Sequence, residues 1–300
     1  MALSFSWRKR DRVAQAVPPA PKNMPAPSIA FHDTRRGTIA HFLADQCIGV
    51  SLQRYGEWAE SEISFLQPFV QPGATVLDVG ANVGSHTLAF AEMVGPAGKV
   101  IAIEGQLSTF GLLSHNIVAN GLMDRVTALP ALAGSEPSLV ACSLSPLTDN
   151  AGAKSFFAEV HGRDVHGTPA DHLPAQVKGM PVSLALITID SLDLSSCALI
   201  KIDVEGMELD VLRGAQETIC RTHPAIYFEQ AAGASSGLAE ISALLSKAGY
   251  RLFWHTARAY NPENYKSDPH NVFGDATETN VIAIPDTVPP PPGMEEVKMA

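Results

Sequence analysis

Short apolar runs alternate along most of the chain with longer stretches in which apolar residues recur at helical spacing. Helical patterns at 85–94 and 108–120 separate the first three runs of strand length. Continuous apolar runs of this length are typical of parallel strands that are buried on both faces. The alternation therefore predicts an α/β fold with a doubly wound, mostly parallel sheet covered by helices. The five clearest runs, all rich in Val, Ile, Leu or Phe, lie at 75–79, 99–103, 125–129, 198–202 and 225–228.

A segment of different character interrupts this pattern. Residues 133–183 carry repeated turn signals and no long helical pattern, which predicts an inserted hairpin and loop. Upstream, a helical pattern at 58–69 is expected to pack at an edge of the sheet. After the insertion, apolar spacing predicts helices at 207–220 and 238–248 and strands at 251–254 and 281–284.

The two ends of the chain differ from this central block. Residues 1–28 combine a basic patch with a Pro/Ala tract, and residues 286–300 contain four consecutive prolines. Such compositions bury little apolar surface and favour extended chain. We therefore predict one folded domain at 29–285, preceded by a flexible basic, Pro-rich arm and followed by a Pro-rich tail that lies outside the packed core.

Composition and charge exclude several classes of protein. With 31 acidic and 21 basic residues the net charge is -10, which disfavours general nucleic-acid binding because that needs a basic face. No apolar run approaches the ~18 residues that span a bilayer, and no secretory signal follows the basic patch. The four cysteines form no C-x-x-C pair, so neither disulfides nor a zinc site are indicated. We expect a cytoplasmic protein without a membrane or nucleic-acid partner.

The junction between the first strand of the sheet and its helix carries the clearest candidate chemistry. It reads Asp78-Val-Gly-Ala-Asn-Val-Gly84 and lies at the carboxyl edge of the sheet, where open α/β folds bind ligands. Gly80 and Gly84 let a bound molecule approach the backbone, but a dinucleotide fingerprint would need glycine at 78 and 83. An acid at 78 suits a cationic head group, such as the α-ammonium of S-adenosylmethionine, better than a pyrophosphate.

Glu104 ends the second strand, 20 residues after Gly84. An acidic side chain at that distance is placed to accept hydrogen bonds from a ribose diol. The alternative is that Asp78 and Glu104 only cap neighbouring helices while the glycines only turn the chain. Because strand, loop, helix and strand-end acid are in register, we predict S-adenosylmethionine as the cofactor.

Four motifs give the chain a resemblance to a known family. Over residues 41–285 it resembles the FkbM-type S-adenosylmethionine-dependent methyltransferases. The resemblance implies a seven-stranded, Rossmann-like class I methyltransferase sheet and methyl transfer to a hydroxyl oxygen, commonly on sugars, glycans or polyketide-type natural products. The chain departs from the family at Gln106 and Leu107, where Pro and Asn often follow the acid. The motifs are Tyr55-Gly-Glu-Trp-Ala-Glu60, the loop from Asp78 to Gly84, Ile189-Asp-Ser-Leu192 and Lys201-Ile-Asp-Val-Glu-Gly-Met-Glu208.

The acceptor side of the site is expected at the ends of the fourth and fifth strands, beside the first strand. A hydroxyl that accepts a methyl group must lose its proton, which is work for a carboxylate or histidine. Asp203 is the first choice for this base. Lys201, two residues earlier on the same face, is expected to pair with an acid because an unpaired buried charge is costly. The alternative is that Glu205 and Glu208 are only first-turn acids that stabilise the start of the next helix, with Asp203 as its cap.

Two sets of residues follow from these arguments. His255 joins the catalytic set because it ends a strand near Trp254, Tyr260 and Tyr265, aromatic neighbours that suit a ring-shaped acceptor. No metal site is predicted, since nothing fixes a ligand spacing. The predicted catalytic residues are Asp203, Glu205, Glu229 and His255, and the predicted cofactor-binding residues are Glu57, Asp78, Gly80, Asn82, Gly84, Glu104 and Asp203.

Three functions remain open at this level. The leading hypothesis is an O-methyltransferase that takes a small-molecule or glycan acceptor. A nucleotide-dependent oxidoreductase on a related sheet is the nearest enzyme alternative, and a catalytically silent binding module with the same fold is the alternative from another class. Cofactor identity separates the first two, and the oligomeric state is not predicted.

Overall fold

The computed structural model describes residues 28–144, 155–162, 180–230 and 235–298. The predicted arm therefore lies outside the described residues apart from Ser28, as does most of the loop in the predicted insertion. Within the described part of the chain, no helix is both long enough and apolar enough to span a membrane.

The strands and helices follow the predicted alternation closely. The strands are β1 (Ile29–Thr34), β2 (Gly37–Phe42), β3 (Thr75–Val79), β4 (Lys99–Ile103), β5 (Val126–Leu129), β6 (Ala131–Ala133), β7 (Ser138–Leu144), β8 (Met180–Ile187), β9 (Leu199–Ile202), β10 (Ala225–Glu229), β11 (Tyr250–Arg258) and β12 (Thr277–Pro285). The helices are α1 (Ile48–Tyr55), α2 (Glu60–Leu66), α3 (Ser85–Val94), α4 (Leu107–Ala119), α5 (Phe157–His161), α6 (Glu208–Arg213), α7 (Gln216–Thr222) and α8 (Ser235–Lys247).

The main sheet has seven strands in the order β11-β12-β10-β9-β3-β4-β5. Strands β3, β4, β5, β9 and β10 are parallel, and β12 runs antiparallel to both of its neighbours. Alternate side chains of each strand enter opposite cores: Leu77 and Ile200 pack with α6, α7 and α8, whereas Val76 and Leu199 pack with α2, α3 and α4. This confirms the predicted doubly wound, mostly parallel fold.

The predicted insertion forms a small sheet of its own. β6 pairs in parallel with β8, and β8 pairs antiparallel with β7, in the order β6-β8-β7. The predicted hairpin is thus present in β7 and β8. Between these strands, α5 is described, and its N-terminal neighbour Phe156 packs with Leu132 and Met207 beside the carboxyl edge of the main sheet.

The prediction of one continuous helix over 207–220 is wrong. The chain breaks between α6 and α7 at Gly214, where a Cβ would lie 2.0 Å from the backbone oxygen of Gly134. Helix α7 begins beside the carboxylate of Asp190. This carboxylate accepts hydrogen bonds from the backbone N–H groups of Glu217 (3.1 Å) and Thr218 (2.7 Å). A distant acid therefore satisfies the free donors of α7 and allows a new helix to start there.

The tail was predicted to lie outside the packed core. Its last described residues instead contact the main sheet. The N–H of Trp254 donates to the carbonyl of Glu295, and the N–H of Val297 donates to that of Leu252, both at 2.9 Å. Val297 also packs against the core. The unpaired edge of β11 offers free backbone groups, which explains why a Pro-rich segment binds along it.

Deletion of residues 2–27 is expected to leave the melting temperature and cofactor affinity nearly unchanged. The arm has no apolar periodicity with which to join either core. Thermal unfolding of the full and shortened chains measures this directly. A fall of many degrees in the melting temperature would show that the arm packs on the domain.

Candidate functional site

Two cavities adjoin at the carboxyl edge of the parallel strands. The first, here called the cofactor cleft, encloses about 600 Å³ with its open mouth and lies over the ends of β3, β4 and β9. The second, here called the acidic cavity, encloses about 580 Å³ and lies over the ends of β9 and β10. Asn82, Asp203 and Glu205 line both, so they stand where the two spaces meet.

The loop after β3 is held tightly against the end of β9. Gly80 has a positive φ of 81°, and a Cβ there would lie 1.8 Å from the carbonyl oxygen of Asp203. Only glycine permits this approach of two backbones. Asn82 also has a positive φ, of 51°, and its side chain accepts a hydrogen bond from the N–H of Val83 at 2.7 Å. The predicted Gly80 and Asn82 therefore shape and line the cleft.

Glu104 lies at the end of β4, on the wall of the cofactor cleft. Its carboxylate accepts hydrogen bonds from the backbone N–H groups of Asn82 (2.8 Å) and Gln106 (2.6 Å), which fix its position between the two loops. Burial raises the pKa of Glu104 to about 7, although these two N–H groups act in the opposite direction. This carboxylate is thus fixed at the position predicted for a ribose contact.

The rest of the cleft combines an apolar wall with an acidic end. Leu132, Phe156 and Met207 form part of the wall, and Asp203 and Glu205 lie at the junction with the acidic cavity. Among the described residues that line the cleft there is no Lys, Arg or His. The charged side chains that a pyrophosphate would meet among the described lining residues are all carboxylates, whereas an adenosine with a cationic sulfonium group fits both the wall and the charge.

Asp78 does not reach the cleft, contrary to its predicted contact with the cofactor ammonium. Its side chain is fully buried below the loop. One oxygen accepts a hydrogen bond from the hydroxyl of Thr87 at 2.6 Å, and the other lies 3.6 Å from Nζ of Lys201. A buried cation from the neighbouring strand thus takes the place assigned to the cofactor.

Glu57 and Gly84 also lie away from both cavities, contrary to their predicted role. The buried carboxylate of Glu57 accepts hydrogen bonds from Arg35 at 2.7 Å and Asn261 at 2.7 Å, and so ties the N-terminal hairpin to a distant loop. Gly84 precedes α3 with a φ of 98°, and a Cβ there would lie 2.8 Å from the side chain of Leu113. Both residues support the fold around the site.

Lys201 is the centre of the charges beneath the acidic cavity. The residue is only 3% exposed, and Nζ lies 3.2 Å from Asp203 and 3.6 Å from Asp78. Burial on its own would lower the pKa of Lys201, but the charges of Asp203, Asp78 and Glu62 raise it above its usual value. The predicted pairing of this lysine with an acid is confirmed, and the lysine has two such partners.

A second group of acids enters the cavity from α2 and β12. Glu62 is buried and lies 3.3 Å from Nε2 of His86. Burial would raise the pKa of Glu62, but hydrogen bonds with His86 and Glu278 bring it down to about 2. Burial and the neighbouring charge of Glu62 raise the pKa of Glu278 well above its usual range. Glu62 and Glu278 therefore form a close pair of buried carboxyl groups, with the pKa lowered at Glu62 and raised at Glu278.

The three predicted acids at the strand ends are close together. Asp203, Glu205 and Glu229 each offer an oxygen within 4.8 Å of the others. Burial, with the charges of Asp203 and Glu208, raises the pKa of Glu205 to about 8. Desolvation and the same acidic neighbours raise the pKa of Glu229 well above its usual range. Lys201 contacts only Asp203 of these three, so Glu205 and Glu229 have no cationic partner among the described residues.

His255 lies behind the acidic cavity and lines neither space, contrary to its predicted catalytic role. Its ring stacks on Phe65 with centroids 3.9 Å apart, and Nδ1 lies 2.8 Å from the hydroxyl of Tyr227. Tyr260 and Tyr265 do not line the cavities either. The aromatic residues that line the acidic cavity are Trp58 and Tyr227.

Several cavity residues were missed by sequence reasoning, although two of them carried a signal. Glu62 is a polar residue on the buried side of α2, and Glu278 and Asn280 alternate on β12 just before an apolar run. Such acids on otherwise buried elements indicate a polar site. To predict that these residues reach the site, one must also know that β12 runs antiparallel to β10. Only that direction brings the beginning of β12 to the carboxyl edge of the parallel strands.

Comparisons with known proteins found one matching family model and several similar solved structures. A family model described as "Methyltransferase FkbM domain" matches residues 78–252. No curated protein matched the chain. Similar solved structures include a methyltransferase FkbM from Methylobacillus flagellatus KT, with 16% identity and a TM-score of 0.44, covering 74% of this chain and 50% of that one. The chain thus spans about half the length of that protein.

Two further solved structures are similar at the same level. A SAM-dependent O-methyltransferase from Thermotoga maritima has 15% identity and a TM-score of 0.44, covering 88% of this chain and 80% of that one. An O-methyltransferase from Bacillus cereus in complex with SAH has 12% identity and a TM-score of 0.41, covering 74% of this chain and 77% of that one.

Proposed function

The chain belongs to the FkbM family of S-adenosylmethionine-dependent methyltransferases, and we propose that it methylates a hydroxyl oxygen of a small polar acceptor held in the acidic cavity. A sugar, a glycan unit or a polyketide-type natural product is the class of acceptor we favour. The observation that carries the proposal is the junction of the two cavities at Asn82, Asp203 and Glu205. A donor in one space and an acceptor in the other would meet beside two carboxylates.

The cofactor cleft supplies groups that match the adenine, the ribose and the cationic centres of S-adenosylmethionine. Glu104 is placed to accept hydrogen bonds from the ribose hydroxyls, and Leu132 and Phe156 offer apolar surface to the adenine. Asp203 and Glu205 favour the cationic end. When bound there, the cofactor supplies the methyl group and leaves as the neutral thioether, with the electron pair of the broken bond on sulfur.

Glu205 is the general base that the contacts favour, in place of Asp203. The carboxylate of Asp203 is 3.2 Å from the ammonium of Lys201, so it is already engaged by a cation. Glu205 has no such partner among the described residues, and its pKa of about 8 lies close to neutral pH, as a base needs. Its positive φ of 53° shows that the surrounding fold holds it in a strained conformation, which is common at functional sites.

The experiment that tests the function is transfer of a labelled methyl group. Purified protein with S-adenosylmethionine carrying an isotopic label on the methyl group is incubated with a polar metabolite extract, and the products are separated by mass spectrometry. The proposal expects a labelled methyl ether. A protein that binds the cofactor and labels nothing would instead be a silent binding module, and a labelled amine or carbon atom would contradict O-methylation.

Replacement of Glu104 by glutamine is expected to weaken S-adenosylmethionine binding at pH 8 by roughly 1–3 kcal/mol, the cost of losing a charge-assisted hydrogen bond. Because the pKa of Glu104 is about 7, the wild-type side chain is itself protonated at lower pH. The difference between the two proteins should therefore shrink as the pH falls from about 8 to about 6. Calorimetric titrations at both values measure it, and a difference that does not change with pH would contradict the assignment.

A further inference from the structure

The acidic cavity has more carboxyl groups than basic groups to balance them. The basic side chains that line it are Lys201 and His86, and Lys201 is already shared between Asp203 and the buried Asp78. His86 lies 3.3 Å from Glu62. The carboxyl side chains in the lining are Glu62, Asp203, Glu205, Glu229 and Glu278.

Glu205 and Glu229 are left over from this pairing. Among the described residues neither carboxylate contacts a basic side chain or a hydrogen-bond donor. Both side chains are partly buried and face the cavity, so part of their hydration has already been lost. A carboxylate in that position is costly unless a ligand supplies a positive charge or a donor.

We propose that the acceptor is an amino alcohol or amino sugar, with its ammonium group on Glu229 and its reacting hydroxyl on Glu205. The inference rests on the proposed function, since it names the class of molecule that the same site takes. The oxygens of the two acids lie within 4.8 Å of each other. An amine and a hydroxyl on neighbouring carbon atoms can contact both carboxylates at once, which selects vicinal amino alcohols.

A divalent metal ion is a poorer match for the same acids. A metal bound by all three strand-end carboxylates would share Asp203 with the ammonium of Lys201, which lies only 3.2 Å away, and the two cations would repel each other. Once Asp203 is engaged by Lys201, two carboxylates remain. Mg²⁺ or Ca²⁺ takes six or more oxygen ligands, so water would have to supply those that the two carboxylates do not. An ammonium group, which has a single positive charge and several N–H donors, suits two carboxylates better than a divalent metal ion does.

The cavity also has a surface for the carbon skeleton of such a molecule. Trp58 and Tyr227 line it together with Ile48 and Ile202. Aromatic and aliphatic side chains beside a few polar groups are the usual lining of a small-molecule site. Glu229 lines only the acidic cavity, whereas Glu205 lines both spaces. The ammonium is therefore fixed on the side away from the cofactor, and the hydroxyl faces it.

The test compares amines with neutral molecules of the same shape. The protein loaded with the demethylated cofactor is titrated with 2-aminocyclohexanol and cyclohexane-1,2-diol, and in parallel with glucosamine and glucose, by calorimetry or ligand-observed NMR. The amine of each pair should bind at least about 10-fold tighter to the wild-type protein. Glu229→Gln should reduce this preference to about 3-fold or less while leaving cofactor affinity unchanged. Glu136→Gln, which removes an exposed charge elsewhere, is the matched control and should keep the preference.

Each other outcome overturns the inference in a recognisable way. Equal binding of amine and diol by the wild-type protein, or no amine binding at about 10 mM, would contradict the inference before any variant is made. Amine binding that requires added Mg²⁺ and is lost with a chelator would assign the acids to a metal. A methylated nitrogen in the product would show that the amine does not stay on Glu229. Failure of the protein to bind S-adenosylmethionine, by contrast, would overturn the proposed function itself.

Discussion

Glu205→Gln is expected to reduce methyl transfer by at least about 100-fold, the loss that removal of a general base typically causes. The amide keeps the shape of the side chain but accepts no proton from the acceptor hydroxyl. Asp203→Asn should cost less, about 10-fold, because Lys201 already engages that carboxylate. The measurement is the initial rate of labelled methyl incorporation into a polar metabolite extract, with cofactor affinity checked in each variant.

The control for this prediction is Glu208→Gln. Glu208 lies three residues further on and accepts a hydrogen bond from the N–H of Gly206 at 3.0 Å, but it lines neither cavity. Its replacement removes a carboxyl group at the start of the following helix and should change the rate only a few-fold. If Asp203→Asn reduces transfer by the larger factor and Glu205→Gln does not, the base is Asp203 and the contact with Lys201 serves to orient it.

The pH dependence separates the two carboxylates independently. Glu205 is active as the carboxylate, and its pKa is raised to about 8. The value of kcat/KM for the acceptor at saturating cofactor should therefore rise with pH up to about 8 and then level off, since this quantity reports the enzyme–cofactor complex before the acceptor binds. In Glu205→Gln that rise should disappear. A profile that is already flat below about pH 7 would mean that the base is a group with an ordinary carboxyl pKa.

The parallel strands of the main sheet and the cofactor loop could be predicted because each depends on local patterns. Strands buried on both faces read as continuous apolar runs, and the turn with Gly80 needs a residue that tolerates the backbone of Asp203. Gly80, Asn82, Glu104 and Asp203 consequently line the cleft as expected. The resemblance to a family contributed the number of strands, which periodicity alone does not define.

Two predicted cofactor residues lie outside the cavities for one physical reason. Asp78 and Glu57 stand in motifs that point to the cofactor, but their carboxylates are buried against Lys201 and Arg35, partners that come from distant parts of the chain. A sequence shows which residues carry charge but not which pairs meet in three dimensions. The same holds for Glu62 and Glu278, which reach the acidic cavity through the packing of α2 and the antiparallel direction of β12.

Lys201→Met is expected to lower the free energy of unfolding by about 3–5 kcal/mol, because it leaves the carboxylate of Asp78 buried without a counter-charge. Asp78 is fully buried, and without Lys201 its remaining contact is the hydroxyl of Thr87 at 2.6 Å. Methionine has a similar length and is apolar, so the loss arises from charge rather than from a cavity. Guanidinium chloride unfolding of the two proteins gives the difference directly.

The companion variant Asp78→Asn distinguishes pairing from other effects. In the double variant Lys201→Met, Asp78→Asn no charge is left unpaired, so much of the lost stability should return, and the two single changes should be far from additive. Asp203→Asn should cost much less than Lys201→Met, because Asp203 is partly exposed and water can solvate the amide. If the double variant instead loses as much free energy of unfolding as the two single variants together, the ion pair does not stabilise the fold. Asp78 is then held by Thr87 and the loop after β3.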